Sequence, residues 1–305
     1  KDRIKMFVQM IMAKSLKERK KILEKLQKLQ KSDFIGILKA MEGYKVTIRL
    51  LDPPLHEFLP DPYDEQKNKN KKNKQLLERA RELAEINPMM GHRGVRVAIT
   101  HPEIYRMQIK AVFEATAYLA KSKVDARPQI MIPQVGSVEE LNHIKNIYKD
   151  VKDEMEKKFK RKFKINFGTM LEVVRACITS DELAETAEFF SFGTNDLTQG
   201  VYSFSREDVE GKFLGKYMDE GIVEISPFQS IDENGVGNLM KIGIERGRNK
   251  QKELEIGICG EHGGDPNSIK FCHSANVTYV SASPYRIPTA ILAGAQAVIE
   301  TKKKK

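Results

Sequence analysis

The stretch FFSFGTNDLTQ at residues 189–199 decides the fold, because it has the pattern of a short buried strand that runs directly into a polar turn. In that turn Gly193 would let the backbone approach a ligand closely, Asn195 offers an amide, and Asp196 offers an oxygen ligand for a hard cation. The alternative is that one of the polar turn residues caps a helix that begins near Leu197. Taken alone, the stretch leaves a ligand site and a helix cap both open.

Short apolar segments alternate with helical patterns along most of the chain. After an all-helical opening, in which a third helix is expected to start at Asp33, the expected strands begin near residues 45, 88, 129, 164, 189, 254 and 277. Strands that alternate with helices at this spacing indicate an α/β fold with a parallel sheet and right-handed crossovers. Seven strands are counted, whereas a closed (β/α)8 barrel has eight.

The chain has 305 residues, which is enough for one large α/β barrel or two ordinary domains. It carries 52 Lys and Arg against 42 Asp and Glu, a net charge of +10, with much of the lysine excess in runs at residues 17–31, 67–74, 157–164 and 302–305. Because the chain carries no nucleic-acid motif, a solvated surface or an anionic small substrate is favoured over a partner nucleic acid. The polar segment at residues 61–74 is expected to be a Lys-rich surface insertion in a single domain that spans residues 1–305.

The three cysteines, Cys177, Cys259 and Cys272, form no CxxC pair. This usage favours a reducing compartment and a cytoplasmic location, with an organelle left open. Since no run of about 18 apolar residues and no signal peptide is visible, no membrane association is expected. The chain begins at Lys1 within a helical pattern, so we expect a processed or excised piece.

Two carboxylates stand where neighbouring strands end. Glu172 closes the strand KINFGTMLE, and Asp196 follows the next one. Adjacent parallel strands would place these groups side by side, where they repel each other unless a cation lies between them. Without a His or thiolate cluster, the pair favours Mg²⁺ over Ca²⁺ or Zn²⁺. The alternative is an ion pair between Glu172 and Arg175 along the following helix.

Two arginines stand in unusual settings. Arg49 lies within the apolar strand VTIRLL, where a guanidinium is costly unless it meets an anion. That anion is either a ligand or a structural partner, namely Asp52 or Glu57. Arg93 is flanked by glycines in NPMMGHRG, which would present its guanidinium at a surface without crowding.

Cys259 ends another strand, in GICGEHGGDP. A thiol between glycines is open enough to act as a proton donor or nucleophile, whereas Cys177 and Cys272 stand in apolar helical contexts and are expected in the core. A plain buried cysteine at position 259 remains the alternative.

Five sequence motifs resemble those of a known protein family and occur in the same order along the chain. They are TIRLLDPPLHEFLP at 47–60, NPMMGHRG at 87–94, GTMLE at 168–172, FFSFGTNDLTQ at 189–199 and GICGEHGGDP at 257–266. Together they closely resemble the phosphoenolpyruvate-binding barrel of the phosphoenolpyruvate-utilising enzymes, over about residues 2–300. The DPPLHEFLP segment resembles the pyruvate, phosphate dikinase branch of that family.

The resemblance implies a TIM-type (β/α)8 barrel whose first strand, with an RTE-type motif, would precede the helix at Asp2 and is missing from this chain. It implies that Arg49 and Arg93 hold the phosphoryl group and that Glu172 and Asp196 bind Mg²⁺ as the cofactor. The substrates implied are phosphoenolpyruvate and pyruvate.

The resemblance also implies that Gly193, Thr194 and Asn195, together with Asp196, contact the substrate. Arg206 would be a further substrate-side arginine, as in enzyme I of the sugar phosphotransferase system, which belongs to the same wider family. Cys259 would protonate the enolate carbon.

The reaction implied is phosphoryl transfer between a phosphohistidine and pyruvate, which belongs to a longer reaction that also uses ATP. The phosphohistidine domain and the nucleotide-binding domain are absent, so this chain would supply at most the pyruvate partial reaction. A homodimer is expected from the family. The alternative is a non-catalytic remnant that binds phosphoenolpyruvate or serves dimerisation.

Overall fold

The computed structural model describes residues 2–61, 63 and 74–303. The Lys-rich insertion expected at 61–74 therefore lies, apart from residues 61, 63 and 74, outside the described residues. The chain divides into two compact units. The first comprises Lys1–Pro133 and Asn142–Asn166, and the second comprises Gln134–Leu141 and Phe167–Lys305.

The first unit is mainly helical. Its helices are α1 (Asp2–Met12), α2 (Leu16–Ala40), α3 (Lys74–Leu83), α4 (Val95–Thr100), α5 (Pro102–Lys121) and most of α6 (Val138–Phe159), and its strands are β1 (Lys45–Arg49) and β2 (Arg127–Ile132). Helix α5 supplies much of the core, since its Tyr105 and Phe113 side chains are fully buried. Burial of the apolar side chains of α5 removes them from water and thereby stabilises this unit.

Helix α2 begins at a side-chain N-cap and extends further along the chain than the sequence predicted. The Ser15 side chain accepts a hydrogen bond from the Glu18 amide at 3.2 Å, which satisfies one of the free N–H groups of the first turn. A new helix start at Asp33 was predicted, and this is wrong. The Asp33 carboxylate instead pairs with Arg3 at 2.5 Å, so it does not cap a helix and α2 continues to Ala40.

The strand predicted near residue 88 is also wrong. Pro88–Met90 forms a 3-10 turn, in which the Asn87 side chain accepts from the Met90 amide at 3.3 Å. Gly94, at φ 54°, then leads into helix α4. Since Gly tolerates this conformation and Pro88 favours a helical first position, local backbone preferences override the apolar pattern.

The second unit contains the remaining strands, β3 (Asn166–Leu171, which starts at the unit boundary), β4 (Phe189–Gly193), β5 (Glu255–Cys259) and β6 (Tyr279–Val280). Its helices are α7 (Val174–Ile178), α8 (Ser180–Leu183), α9 (Thr194–Tyr202), α10 (Arg206–Lys212), α11 (Leu214–Asp219), α12 (Asn238–Lys250), α13 (Pro266–Ser274) and α14 (Ile287–Lys303). Strands followed by helices confirm the predicted α/β class.

Strand β1 pairs with β2 in the first unit, and β3, β4, β5 and β6 pair in the order of the sequence in the second. The recorded pairings are all parallel, as predicted. Strand β4 is buried along its whole length, and Phe189, Phe190 and Phe192 are completely covered. Its register with β5 sets Gly193 opposite Cys259, which brings two predicted site segments together at the carboxyl ends of their strands.

Within the described ranges, no helix combines the length and the apolar character needed to cross a membrane.

Candidate active site

The two predicted carboxylates meet at one residue, Gln134. Glu172, which follows β3, is 3% exposed, and its Oε1 accepts from the backbone N–H of Gln134 at 2.6 Å. The side-chain Nε2 of the same glutamine lies 3.5 Å from Asp196 Oδ2. Arg175, the alternative partner of Glu172, donates to the carbonyl oxygen of Gly136 at 2.6 Å. The structure therefore places the carboxylates around Gln134.

Sequence reasoning missed Gln134. It follows the apolar run of β2 and Pro133, is 4% exposed, and has φ of 60°, a left-handed conformation that is uncommon for a residue with a Cβ. Such backbone strain concentrates at functional sites. The available signal was a polar residue that ends an apolar, proline-terminated strand.

Helix α9 begins without a side-chain cap. Its N-cap position is Gly193, and no side-chain capping hydrogen bond forms there. Asn195 Oδ1 instead accepts from the Glu261 amide at 3.2 Å, and Asp196 Oδ1 lies 3.4 Å from Gln199 Nε2. The helix-cap alternative for this turn is therefore wrong.

Gly193 is required by close packing. A Cβ built on it would lie 2.5 Å from Glu172 Oε2 and 2.7 Å from the sulfur of Met170. Contacts this short are not tolerated, so only glycine leaves room for the Glu172 carboxylate beside the end of β4.

The donors around Gln134 fit a hard cation. They are two carboxylates, and Mg²⁺ in proteins takes few carboxylates and completes its shell with substrate and water. Among the described side chains, no group of three or more His, Cys, Asp and Glu is arranged to hold a metal ion. A hard cation at this place would therefore have two carboxylate ligands and would take its other ligands from substrate and water.

Cys259 lies at the end of β5 and is partly exposed. Its Sγ is 3.5 Å from the carbonyl oxygen of Phe192. Cys177 and Cys272 are buried, as predicted, and burial raises the pKa of each thiol to about 12. Cys259 is thus the accessible thiol of the three.

His262 is a buried residue that sequence reasoning did not single out. Its Nε2 faces the Pro227 carbonyl at 2.9 Å, and its Nδ1 lies 2.7 Å from the Thr194 hydroxyl, which in turn lies 2.9 Å from the Cys259 carbonyl oxygen. Burial lowers the pKa of His262. Because a carbonyl only accepts, Nε2 carries the proton of the neutral imidazole and Nδ1 is an acceptor. The single Thr194 hydroxyl proton therefore has two acceptors beside it, His262 Nδ1 and the Cys259 carbonyl oxygen. This side chain ties the start of α9 to the loop after β5.

Arg206 does not reach the carboxylates directly. Its guanidinium pairs with Glu210 at 3.1 Å and lies 5.6 Å from the centre of the Phe228 ring. Its backbone N–H donates to Gln199 Oε1 at 3.0 Å, so the link to Asp196 runs through Gln199. Arg206 also lines a cavity of about 590 Å³ in this unit.

The first unit brings both predicted arginines onto one carboxylate. Arg93 Nη2 lies 2.5 Å from Asp52 Oδ2, and Arg49 Nη1 lies 3.2 Å from the same oxygen. Asp52 and Arg93 are 5% exposed as whole residues, whereas the Arg49 side chain is 47% exposed. The structural ion pair considered for Arg49 is therefore formed with Asp52, and Arg49 keeps an exposed face.

The chain is similar to known proteins over almost its whole length. The family described as "PEP-utilising enzyme, PEP-binding domain", where PEP is phosphoenolpyruvate, matches residues 5–298. Pyruvate, phosphate dikinase from Entamoeba histolytica is 50% identical over an alignment of 310 residues that covers 98% of this chain and 35% of that protein. The dikinase from Clostridium symbiosum is 46% identical (99% of this chain, 35% of that protein), and the chloroplastic dikinase 1 of Oryza sativa is 46% identical (98% and 32%).

The chain spans about a third of the length of these relatives. The match nevertheless covers almost all of the chain itself, in agreement with the five motifs. The chain belongs to the family of PEP-utilising enzymes, as their PEP-binding domain.

Proposed function

We propose that the chain is the phosphoenolpyruvate- and pyruvate-binding part of a pyruvate, phosphate dikinase, with the barrel architecture of that family. In the complete enzyme it would transfer a phosphoryl group between pyruvate and a phosphohistidine that another domain carries, while a nucleotide-binding domain uses ATP. The relatives are dikinases by name, and the observation that carries the proposal is the contact of Glu172 and Asp196 with the same Gln134.

Glu172 and Asp196 would hold Mg²⁺, which when bound would stabilise negative charge on the enolate oxygen of the substrate. Gly193 leaves space for Glu172, and Thr194 and Asn195 fix the start of α9 beside the loop after β5. These residues would orient the carboxylate and the enolate oxygen of the substrate.

Arg49 and Arg93 would neutralise the phosphoryl group while it moves, because transfer of this group is assisted mainly by positioned positive charge. Arg206 would contribute a further positive charge on the substrate side. These roles rest on the resemblance, and the convergence of Arg49 and Arg93 on Asp52 supports the first two.

Cys259 would deliver a proton to the enolate carbon when phosphoenolpyruvate has lost its phosphoryl group, and would remove one from pyruvate in reverse. The partial exposure of its thiol supports this role. Proton exchange at pyruvate is a partial reaction that needs neither ATP nor the phosphohistidine.

Calorimetric titration with oxalate, which resembles the enolate of pyruvate, tests the metal site. Binding should require Mg²⁺, and Glu172→Gln and Asp196→Asn should each abolish it. Glu253→Gln, which removes an exposed carboxylate of the same unit, is the matched control and should leave binding unchanged. Binding without Mg²⁺, or undisturbed binding in both site variants, would refute the metal site.

Exchange of the pyruvate methyl protons in D₂O, followed by ¹H NMR, tests the chemistry. The chain with Mg²⁺ should catalyse exchange and Cys259→Ala should not. Oxalate binding without exchange would favour the second candidate, a remnant that only binds ligand. The proposed homodimer is tested by light scattering on the eluting peak of a size-exclusion column, where a monomeric mass contradicts it.

A further inference from the structure

A cavity of about 580 Å³ lies in the first unit at the amino-terminal ends of β1 and β2. The first residues of these strands, Lys45 and Arg127, are register partners and both line it. Arg49 stands at the other end of β1, four residues and about 13 Å away along the strand. The cavity is therefore separate from the arginine cluster around Asp52.

Positive charge dominates the walls of this cavity. Five basic side chains line it, against the single carboxylate of Asp125; they are those of Lys45, Arg127, Arg161, Lys162 and Lys164. Each exposed charge contributes little by itself, but a concave wall of one sign focuses the potential and attracts anions.

Two of the basic side chains of the cavity form ion pairs with carboxylates, and two others provide positive charge that is not neutralised in this way. Arg127 pairs with Asp125 at 2.6 Å, and Lys162 pairs with Glu156 at 2.5 Å. Lys164 forms no ion pair within the part of the chain that the structure describes. Arg161 lies 5.5 Å from the centre of the Phe163 ring, which supports its guanidinium without neutralising it.

Gln129 adds a second, independent observation. This residue lines the cavity and is only 2% exposed. Its Oε1 accepts from the Thr47 hydroxyl at 3.1 Å, whereas its Nε2 has no hydrogen-bond partner among the described residues. A buried donor without an acceptor is unfavourable, so an acceptor oxygen from a ligand would stabilise this position.

The donors determine the chemical class of the ligand. Ammonium, guanidinium, amide and hydroxyl groups line the cavity, so the ligand must be anionic and rich in acceptor oxygens. The volume lies within the range of sites for small molecules. We propose that this cavity is a second anion site, distinct from the proposed phosphoenolpyruvate site, that binds a small ligand through a phosphate group.

Titration of the ¹⁵N-labelled chain with inorganic phosphate and with glycerol 3-phosphate, followed by ¹H–¹⁵N NMR, tests the site. The backbone amides of Arg127, Gln129 and residues 161–166 should shift saturably, and they are read separately from those of residues 49–52 and 93. Tighter binding of glycerol 3-phosphate would identify an organic phosphate as the ligand, and equal binding would identify the phosphate group alone as sufficient. Both outcomes support the site.

Two variants and one control complete the test. Gln129→Leu removes the buried donor and should weaken binding at least about fivefold, and Lys164→Gln should weaken it by a similar factor. Lys149→Gln, an equal change of charge at an exposed position on α6, should have no effect. If Gln129→Leu does not fold, Lys164→Gln against Lys149→Gln still decides. Absence of saturable shifts, or equal weakening by Lys164→Gln and Lys149→Gln, would overturn the proposal and leave an adventitious ion only.

Discussion

Asp52 and Arg93 form a buried ion pair in which Arg93 Nη2 lies 2.5 Å from Asp52 Oδ2 and each side chain is 6% exposed. The same carboxylate oxygen contacts Arg49. A residue that follows β1 thus orients both predicted phosphoryl-binding arginines, and it also fixes the chain at Arg93, because the Gly94 amide donates to the Asp52 carbonyl at 2.9 Å.

Replacement of Asp52 should reveal this buried pair. Asp52→Asn keeps the shape but leaves the Arg93 charge without its counter-ion, so the free energy of unfolding should fall by about 3 kcal/mol. Arg49→Gln removes a half-exposed partner and should cost less than about 1 kcal/mol. Urea unfolding followed by circular dichroism measures both, and similar small losses would show that the buried pair is not important for stability.

Gly193→Ala should damage the carboxylate site specifically. The added methyl group would collide with the Glu172 carboxylate and the Met170 sulfur, so we expect a loss of about 1–3 kcal/mol in stability together with at least about tenfold weaker Mg²⁺-dependent oxalate binding. The matched change is Gly200→Ala in α9, where the nearest atom to the new Cβ is Val174 Cγ2 at 3.1 Å. That variant should stay within about 1 kcal/mol of the parent, since alanine favours the helix. Equal oxalate affinity in the two variants would contradict the packing argument.

His262 should make stability depend on pH. Burial lowers its folded-state pKa, against the partial opposition of the Pro227 carbonyl and the nearby Asp265 and Glu261 charges, and Arg206 lowers it further. The unfolded chain therefore binds more protons below about pH 6.5, so the contribution is complete above that pH and is lost as the pH falls through the lowered value.

The matching experiment compares unfolding free energies at pH 7.5 and 5.5. The parent should lose on the order of 1 kcal/mol more than His262→Gln over this interval. His143→Gln, at an exposed position on α6, serves as the control and should behave as the parent does. A parent-like pH dependence in His262→Gln would mean that another group carries the effect.

Alkylation should distinguish the three cysteines. At pH 8 iodoacetamide should label Cys259 at least about tenfold faster than Cys177 or Cys272, whose pKa values near 12 leave almost no thiolate. Peptide mass spectrometry measures the rates. Mg²⁺ with oxalate should slow labelling of Cys259 if the thiol faces the proposed ligand, and labelling of Cys272 at a comparable rate would contradict its burial.

Much of the candidate site was predictable because parallel strands place their carboxyl ends at one edge of a sheet. Gly193 and Cys259 end recognisable strands, and Glu172, Asn195 and Asp196 stand just after the ends of strands. The α/β alternation that predicted this arrangement is present. The predicted metal, substrate and proton-transfer roles stay predictions. Local patterns failed where a competing contact acts, as at Asp33, which pairs with Arg3, and near Pro88, where a 3-10 turn replaces the expected strand.

The sequence by itself determined the alternation of strands and helices, the family of the chain and the polar residues at the strand ends, because periodicity and motifs are local properties. Only the tertiary structure decided that Gln134 joins Glu172 to Asp196, that Asp52 holds Arg93 as well as Arg49, and that His262 supports Thr194. Except for the local Arg49–Asp52 pair, these contacts join residues that are separated by 38 to 68 positions in the sequence. Strand register, burial and a left-handed backbone at Gln134 bring them within hydrogen-bonding distance, and none of these is encoded by neighbouring residues alone.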